Sequence, residues 1–152
     1  MRKRIGIGII IAVILGFYFN AIDRCEPGKD EIFIHIQFDT KEDIGLLIYD
    51  YSVNGYKYSG GTSNADQSMI KHDSENIIVW NRDELNCLSD AVSLSIQFRI
   101  ITEYMDPNFE NVYPEDITRY IESINFEAHF GESYSITITG DKTNGYKAVL
   151  IQ

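Results

Sequence analysis

The sequence predicts a mainly β protein: an antiparallel β-sandwich with one short helix, preceded by an N-terminal hydrophobic helix. Three observations predict it. Apolar residues recur at every second position in several separate runs, the period of a strand buried on one side. Two Asn-Gly dipeptides, Asn54-Gly55 and Asn144-Gly145, each precede such a run, and Asn-Gly favours the tight type I′ hairpin turn. Finally, 18 residues without a charge, Ile5 to Ile22, follow a basic start.

The N-terminal element comes first. Residues 1–24 hold Arg2, Lys3, Arg4 and Arg24 against Asp23. As a helix, Ile5 to Ile22 would span about 27 Å, near the ~30 Å of a bilayer's hydrocarbon core. Phe17, Tyr18 and Phe19 at its far end suit an interfacial aromatic belt. A signal peptide shares the basic start and apolar core. Its small-x-small cleavage pattern is poor here, since Phe19 and Ala21 are the nearest candidates. Residues 1–24 therefore read first as a signal anchor and second as a cleaved signal peptide. Arg2, Lys3 and Arg4 stay inside by the positive-inside rule. The expected location is the cell membrane, crossed once through residues 5–22, with the rest outside. Secretion after cleavage is the alternative.

Residues 25–31 read as a juxtamembrane linker with Pro27 and Gly28, and residues 32–152 as an acidic extracytoplasmic domain. In it, Ile32, Ile34, Ile36 and Phe38 alternate with Phe33, His35 and Gln37. After a turn over Asp39–Gly45, Leu46–Val53 is a strand, Asn54-Gly55 its turn and Tyr56–Ser59 the return. Gly60–Asn76 reads as a long polar loop with a helical turn near Ser68–Lys71. Ile77–Trp80 is a short strand. Val92, Leu94, Ile96, Phe98 and Ile100 give the strongest alternation. Pro114, Glu115 and Asp116 open a short helix, since Pro suits the first helical position and acids the first turn. Ile117, Tyr120 and Ile121 would form its docking face. Ile124–Phe130, Tyr134–Ile138 and Tyr146–Ile151 complete the strands.

About eight short strands with hairpin signals describe a sandwich that is immunoglobulin-like or transthyretin-like in outline, with a small barrel as the alternative. Asn-Gly-Tyr-Lys occurs at both Asn54–Lys57 and Asn144–Lys147. The flanks do not match, so shared turn chemistry explains it better than duplication.

The chain of 152 residues is 44% hydrophobic and carries a net charge of −10, which suits one folded domain and argues against disorder. Residues 25–152 alone hold 9 basic and 22 acidic side chains. Such a surface excludes nucleic acid as a main partner. Two cysteines rule out a disulfide-dense miniprotein and a four-cysteine zinc site. Cys25 and Cys87 are the one candidate disulfide, or two unpaired thiols.

Four tyrosines make the first candidate site. A two-residue turn at Asn54-Gly55 pairs Val53 with Tyr56 and Tyr51 with Tyr58, and Tyr49 follows on the same face. This row reads either as part of the core or its rim, or as a platform for a carbohydrate or protein partner. The acidic loops make the second. Asp106, Asn108 and Glu110, with Asp116, are candidate calcium ligands. Asp106-x-Asn108-x-Glu110 starts like an EF-hand loop, but Asn111 stands in place of its glycine and Ile117 in place of its final glutamate. The alternative is a solvated surface. His35, His72 and His129 show no His-x-His or HExxH spacing. Gly131–Ser135 is not a Gly-x-Ser-x-Gly elbow.

The expectation is a non-enzymatic, membrane-anchored binding or structural module whose acidic surface favours a basic partner. An inhibitor or immunity protein is a concrete variant. A calcium-stabilised envelope module and an envelope hydrolase are the alternatives.

Overall fold

A computed structural model describes residues 26–104 and 113–151. The hydrophobic segment, Cys25, and the loop residues Asp106, Asn108 and Glu110 lie outside the described residues. Among the described residues no helix is long and apolar enough to cross a membrane.

The first alternation becomes β1 (Glu31–Thr40), with Ile32, Ile34, Ile36 and Phe38 fully buried. Glu26–Asp30 form a bend and a turn before it. Next come β2 (Leu46–Val53), β3 (Tyr56–Thr62), β4 (Glu75–Asn81) and β5 (Ala91–Ile101). After them follow β6 (Thr118–Tyr120), β7 (Ile124–His129), β8 (Ser133–Asp141) and β9 (Gly145–Ile151).

The chain is mainly β and forms two sheets. One has the order β4-β1-β8-β9; the other runs β3-β2-β5, with β6 and β7 both paired to β5. The long β5 explains that arrangement: Ala91–Ile96 takes β7 and Arg99–Ile101 takes β6, in line along one edge. The inward residues of both sheets build one core, consistent with the expected sandwich. Ile34, Ile36 and Phe38 of β1 and Ile136 and Ile138 of β8 belong to it. So do Leu47 of β2 and Leu94, Ile96 and Phe98 of β5. Each large apolar side chain buried there contributes about 1.5–3 kcal/mol.

Three expectations are corrected. The sheets are not wholly antiparallel, because β1 and β8, the central strands of their sheet, run parallel. They are distant in sequence, so no hairpin constrains their direction. The helix opened by Pro114 is absent. Residues 115–117 form a turn, closed by Ile117 and Thr118 donating to Pro114 and Glu115 carbonyls, and β6 follows. The physical reason is Ile101. It faces outward at the end of β5 and is covered by Leu46, Ile48 and Ile117 in a small second core. Thr102 locks the return by donating its backbone N–H to the Ile117 carbonyl at 2.9 Å. Tyr120, expected on the docking face, is 65% exposed. The helical turn near Ser68–Lys71 is also absent: Ile70 bridges Ile44 in extended pairing, and β3 runs on through Gly60 to Thr62.

Strand directions sort the connections into two ends. Glu26, the Asn54-Gly55 turn, residues 82–90 and residues 130–132 share one end. The connections 41–45, 63–74 and 142–144 and the described residues 102–104 and 113–117 share the other.

Candidate functional site

The first hairpin forms as its sequence dictates. Asn54 and Gly55 have φ of 50° and 89°, the positive pair that a type I′ turn requires. Val53 pairs with Tyr56, Tyr51 with Tyr58, and Tyr49 with Gly60. The Tyr51 and Tyr58 rings stack at 5.2 Å. The partner that sequence reasoning missed is Trp80 of β4, in the other sheet. Its ring lies 4.5 Å from that of Tyr51 and 6.5 Å from that of Tyr49. Trp80 shares a strand face with Ile78, and that alternation was its only signal. Tyr49, Tyr51 and Tyr58 are half-buried and pack on the core, so they form a seam between the sheets. Burial pushes the Tyr49 and Tyr51 hydroxyls up in pKa. Tyr56 stands apart at the hairpin tip, 72% exposed.

The seam floors a cleft. β3 and β4 are both end strands, and the Tyr51–Trp80 contact puts them on the same side of the molecule. Between them lies a space of about 370 Å³, walled by Ser59–Thr62 on β3 and Asn76–Trp80 on β4. Gly60 is needed there, because a Cβ on it would come within 2.5–2.7 Å of the Tyr49 ring. Glu84 is the one charged residue lining the cleft. Its Oε2 accepts the Asn81 backbone N–H at 3.1 Å.

The outward face of the same sheet is polar. Asp50, Ser52, Lys57, Ser59, Ser95 and Gln97 line a shallow depression of about 590 Å³. Arg99 donates to both Asp50 carboxylate oxygens, at 2.7 and 3.2 Å, and the Ser59 hydroxyl donates to one of them.

The connections at the far end are tied by carboxylates. Asp43 accepts from the Lys71 ammonium at 2.7 Å and the His72 backbone N–H at 3.0 Å, and its Oδ1 lies 2.8 Å from His72 Nδ1. These partners hold the Asp43 carboxyl well below the usual range and raise the pKa of His72. Asp141 is held down likewise by Lys41 and by Asn144 and Thr143. Glu42 accepts from the Tyr146 hydroxyl and the Lys142 backbone N–H. Burial, then Glu42, pushes the Tyr146 phenol far up.

Of the four candidate calcium ligands, only Asp116 is described. It sits in the turn before β6, where its carbonyl accepts from Arg119. Among the described residues no group of three or more His, Cys, Asp or Glu converges as a metal site. His35, His72 and His129 each lie beside one carboxylate, that of Glu75, Asp43 and Glu127 respectively. Among the described residues Cys87 is a free, buried thiol, 3.2 Å from the Ser89 hydroxyl and 3.6 Å from the Asn54 amide. These contacts, Ser89 first, lower its pKa against the effect of burial. Its candidate partner Cys25 lies outside the described residues.

No family model matches the chain, and no curated protein matches it. Several solved structures are similar in part. A non-hemolytic pneumolysin from Streptococcus pneumoniae strain ST306 is 9% identical with a TM-score of 0.41, over 80% of this chain and 23% of that one. Listeriolysin O is 10% identical with a TM-score of 0.38, over 80% and 22%. The membrane-binding domain of pneumolysin is 9% identical with a TM-score of 0.39, over 80% and 96%. The chain thus spans less than a quarter of the whole toxins. Likeness at this level carries no functional assignment.

Proposed function

We propose that this protein is a non-enzymatic binding module, held at the outer side of the membrane by residues 5–22, whose acidic domain engages a basic partner. One observation carries the reading. Glu26, where the chain leaves the hydrophobic segment, lies at one end of the domain, and an acidic surface is displayed at the other. Residues 39–45, 63–74, 102–104 and 113–117 hold eight carboxylates against two lysines. Charge of one sign steers an oppositely charged partner and weakens with salt. An inhibitor or immunity role toward a basic secreted protein fits this charge and location. The layering of two sheets supports an immunoglobulin-like or transthyretin-like outline as the finer proposal. The parallel β1–β8 pair counts against a strict immunoglobulin sheet, whose strands are antiparallel.

The test is photo-cross-linking in intact cells, with the reactive residue placed at Asp73 at the far end or at Glu127 on β7, near the membrane end and at the opposite edge of the sheet from β3. The expected result is capture of one basic envelope protein from Asp73, lost in high salt, and none from Glu127. Protease shaving of the same cells must remove the acidic domain. A domain protected until the cells are opened, or capture from neither position, refutes the proposal.

A further inference from the structure

The free edge of β3 is bare. In a two-residue hairpin the residues flanking the turn form a hydrogen-bonded pair, and pairing alternates from there. Tyr56, Tyr58, Gly60 and Thr62 therefore bond to β2. The backbone N–H and C=O groups of Lys57, Ser59 and Gly61 point away from it. β3 ends its sheet, and none of these three has a backbone partner elsewhere among the described residues. Gly60 and Gly61 carry no side chain on either face, so a second backbone can approach to the ~4.8 Å spacing of a strand pair.

The space beside this edge is already open: it is the cleft between β3 and β4. Tyr49 covers Gly60 from the inner side, and β4 forms the opposite wall with Ile77 and Val79, both about two-fifths exposed. An extended segment laid there pairs its main chain with Ser59 and Gly61. It sets alternate side chains inward, toward the floor of Tyr49 and Trp80. The charge of the cleft is that of Glu84 alone, and Glu84 Oε1 accepts no bond among the described residues. A second copy of this chain, with net charge −10, is repelled from that position, whereas a basic segment is attracted.

We infer that the β3 edge is a strand-acceptor site for an extended, basic peptide segment, added by main-chain pairing and selected through Glu84. This inference rests on the basic-partner reading above and names the form in which that partner binds.

The probe is a blocked heptapeptide alternating valine and lysine, with matched peptides carrying threonine or glutamate in place of lysine. Full-length protein in a mild detergent is titrated, and backbone amide exchange is read residue by residue by NMR. The expected result is binding of the lysine peptide that slows exchange at Ser59 and Gly61 by about tenfold or more and leaves the amides of Tyr58 and Gly60 unchanged. Glu84→Gln weakens it several-fold and flattens its salt dependence. Gly61→Pro removes one outward N–H without touching the β2 ladder, and abolishes binding. If that variant does not fold, the exchange pattern of the unsubstituted protein still decides.

Lysine-peptide binding that leaves Ser59 and Gly61 unprotected overturns the edge while the basic-partner reading stands. Equal binding of the threonine peptide overturns the role of Glu84. Protection of the same amides without peptide, rising with protein concentration, assigns the edge to a second copy and overturns the inference. Absence of binding by all three peptides also overturns it, and the cross-linking experiment then judges the broader reading separately.

Discussion

Gly45 is the position where this structure tolerates least. Its φ is not in the left-handed region, so no backbone rule marks it. The constraint is contact: a Cβ there would stand 1.8 Å from the Glu103 carbonyl oxygen, 2.3 Å from its carbon and 2.7 Å from the Tyr104 nitrogen. Ordinary contact starts near 3.4 Å, so Gly45→Ala must drive the backbone after β5 back by about 1.6 Å. That segment is pinned. Gly45 donates to the Ile101 carbonyl at 2.8 Å and Thr102 to that of Ile117 at 2.9 Å, and Ile101 lies under Leu46 and Ile117. Losing one or two such bonds costs about 1 kcal/mol each, and overpacking adds about 1–3 kcal/mol. The expected loss is about 2–5 kcal/mol. Gly55→Ala is the control. Gly55 has φ of 89°, and a Cβ added to it would meet nothing within 4 Å, so only the conformational cost of about 1–2 kcal/mol applies. Urea unfolding followed by Trp80, the sole tryptophan, reads both, because Trp80 is only 4% exposed. With a slope of about 1.5 kcal/mol/M, Gly45→Ala lowers the midpoint by about 1.3 M or more. A loss at Gly45 no larger than that at Gly55 would refute the close-approach argument.

Three further outcomes are expected. Trp80→Ala costs about 3–5 kcal/mol and exposes Tyr51, measured as a fall in melting temperature by far-UV circular dichroism with a rise in tyrosine quenching by acrylamide. Tyr146→Phe leaves Glu42 without its hydroxyl donor and costs about 1.5–3 kcal/mol, the range for a hydrogen bond to a charged group, read in the same urea assay. The pH profile has two limbs. Asp43 and Asp141 have lowered pKa values, so their stabilisation is present above about pH 4 and is lost as pH falls below it. His72 has a raised pKa, so its contribution is full below about pH 6.5 and is lost as pH rises through its folded value. Melting temperatures from pH 2 to 9 should show Asp141→Asn flattening the acid limb and His72→Gln flattening the neutral one. Unchanged slopes in both variants would remove these pairs from the stability account.

What was legible in the sequence followed from local pairing. The alternation of Ile32 to Phe38 and of Val92 to Ile100 specified strands because each buries one face on one core. Asn54-Gly55 specified a hairpin, and so the Tyr51–Tyr58 stack. What was not legible depended on residues far apart. Ile117 and Ile121 have helical spacing, yet they are buried in different clusters on different faces. The partner that decides for Ile117 is Ile101, and nothing near residue 117 announces it. Likewise Trp80 meets the tyrosines only because the two sheets stack, and Gly60 and Gly61 read as loop residues until β2 is known to continue beside them. The candidate site was legible as an aromatic hairpin; its open edge was not, since an edge is defined by the strand that fails to pair.

The edges of this domain are not equally guarded. Unpaired strand edges invite association, and proteins blunt them by shortness, interruption or charge. The edge beyond β5 is split into three residues of β6 and six of β7, with Glu127 and His129 on the second. The free side of β9 carries Lys147, and that of β4 starts at Glu75 and is closed at Asn81 by bonds with Glu84 and Leu85. β3 has seven residues in unbroken register with β2, a single charge at Lys57 and no proline. Local sequence alone leaves it open to any strand. The guard is global instead: at a net charge of −10, two copies repel before their edges meet, and that repulsion is screened by salt over about 8–10 Å. Such protection discriminates by sign. It leaves the edge open to a positively charged strand, and it makes salt the variable that separates capture of a partner from self-association. Raising salt should weaken the first and promote the second in the same sample, which sedimentation velocity with and without the lysine peptide measures directly.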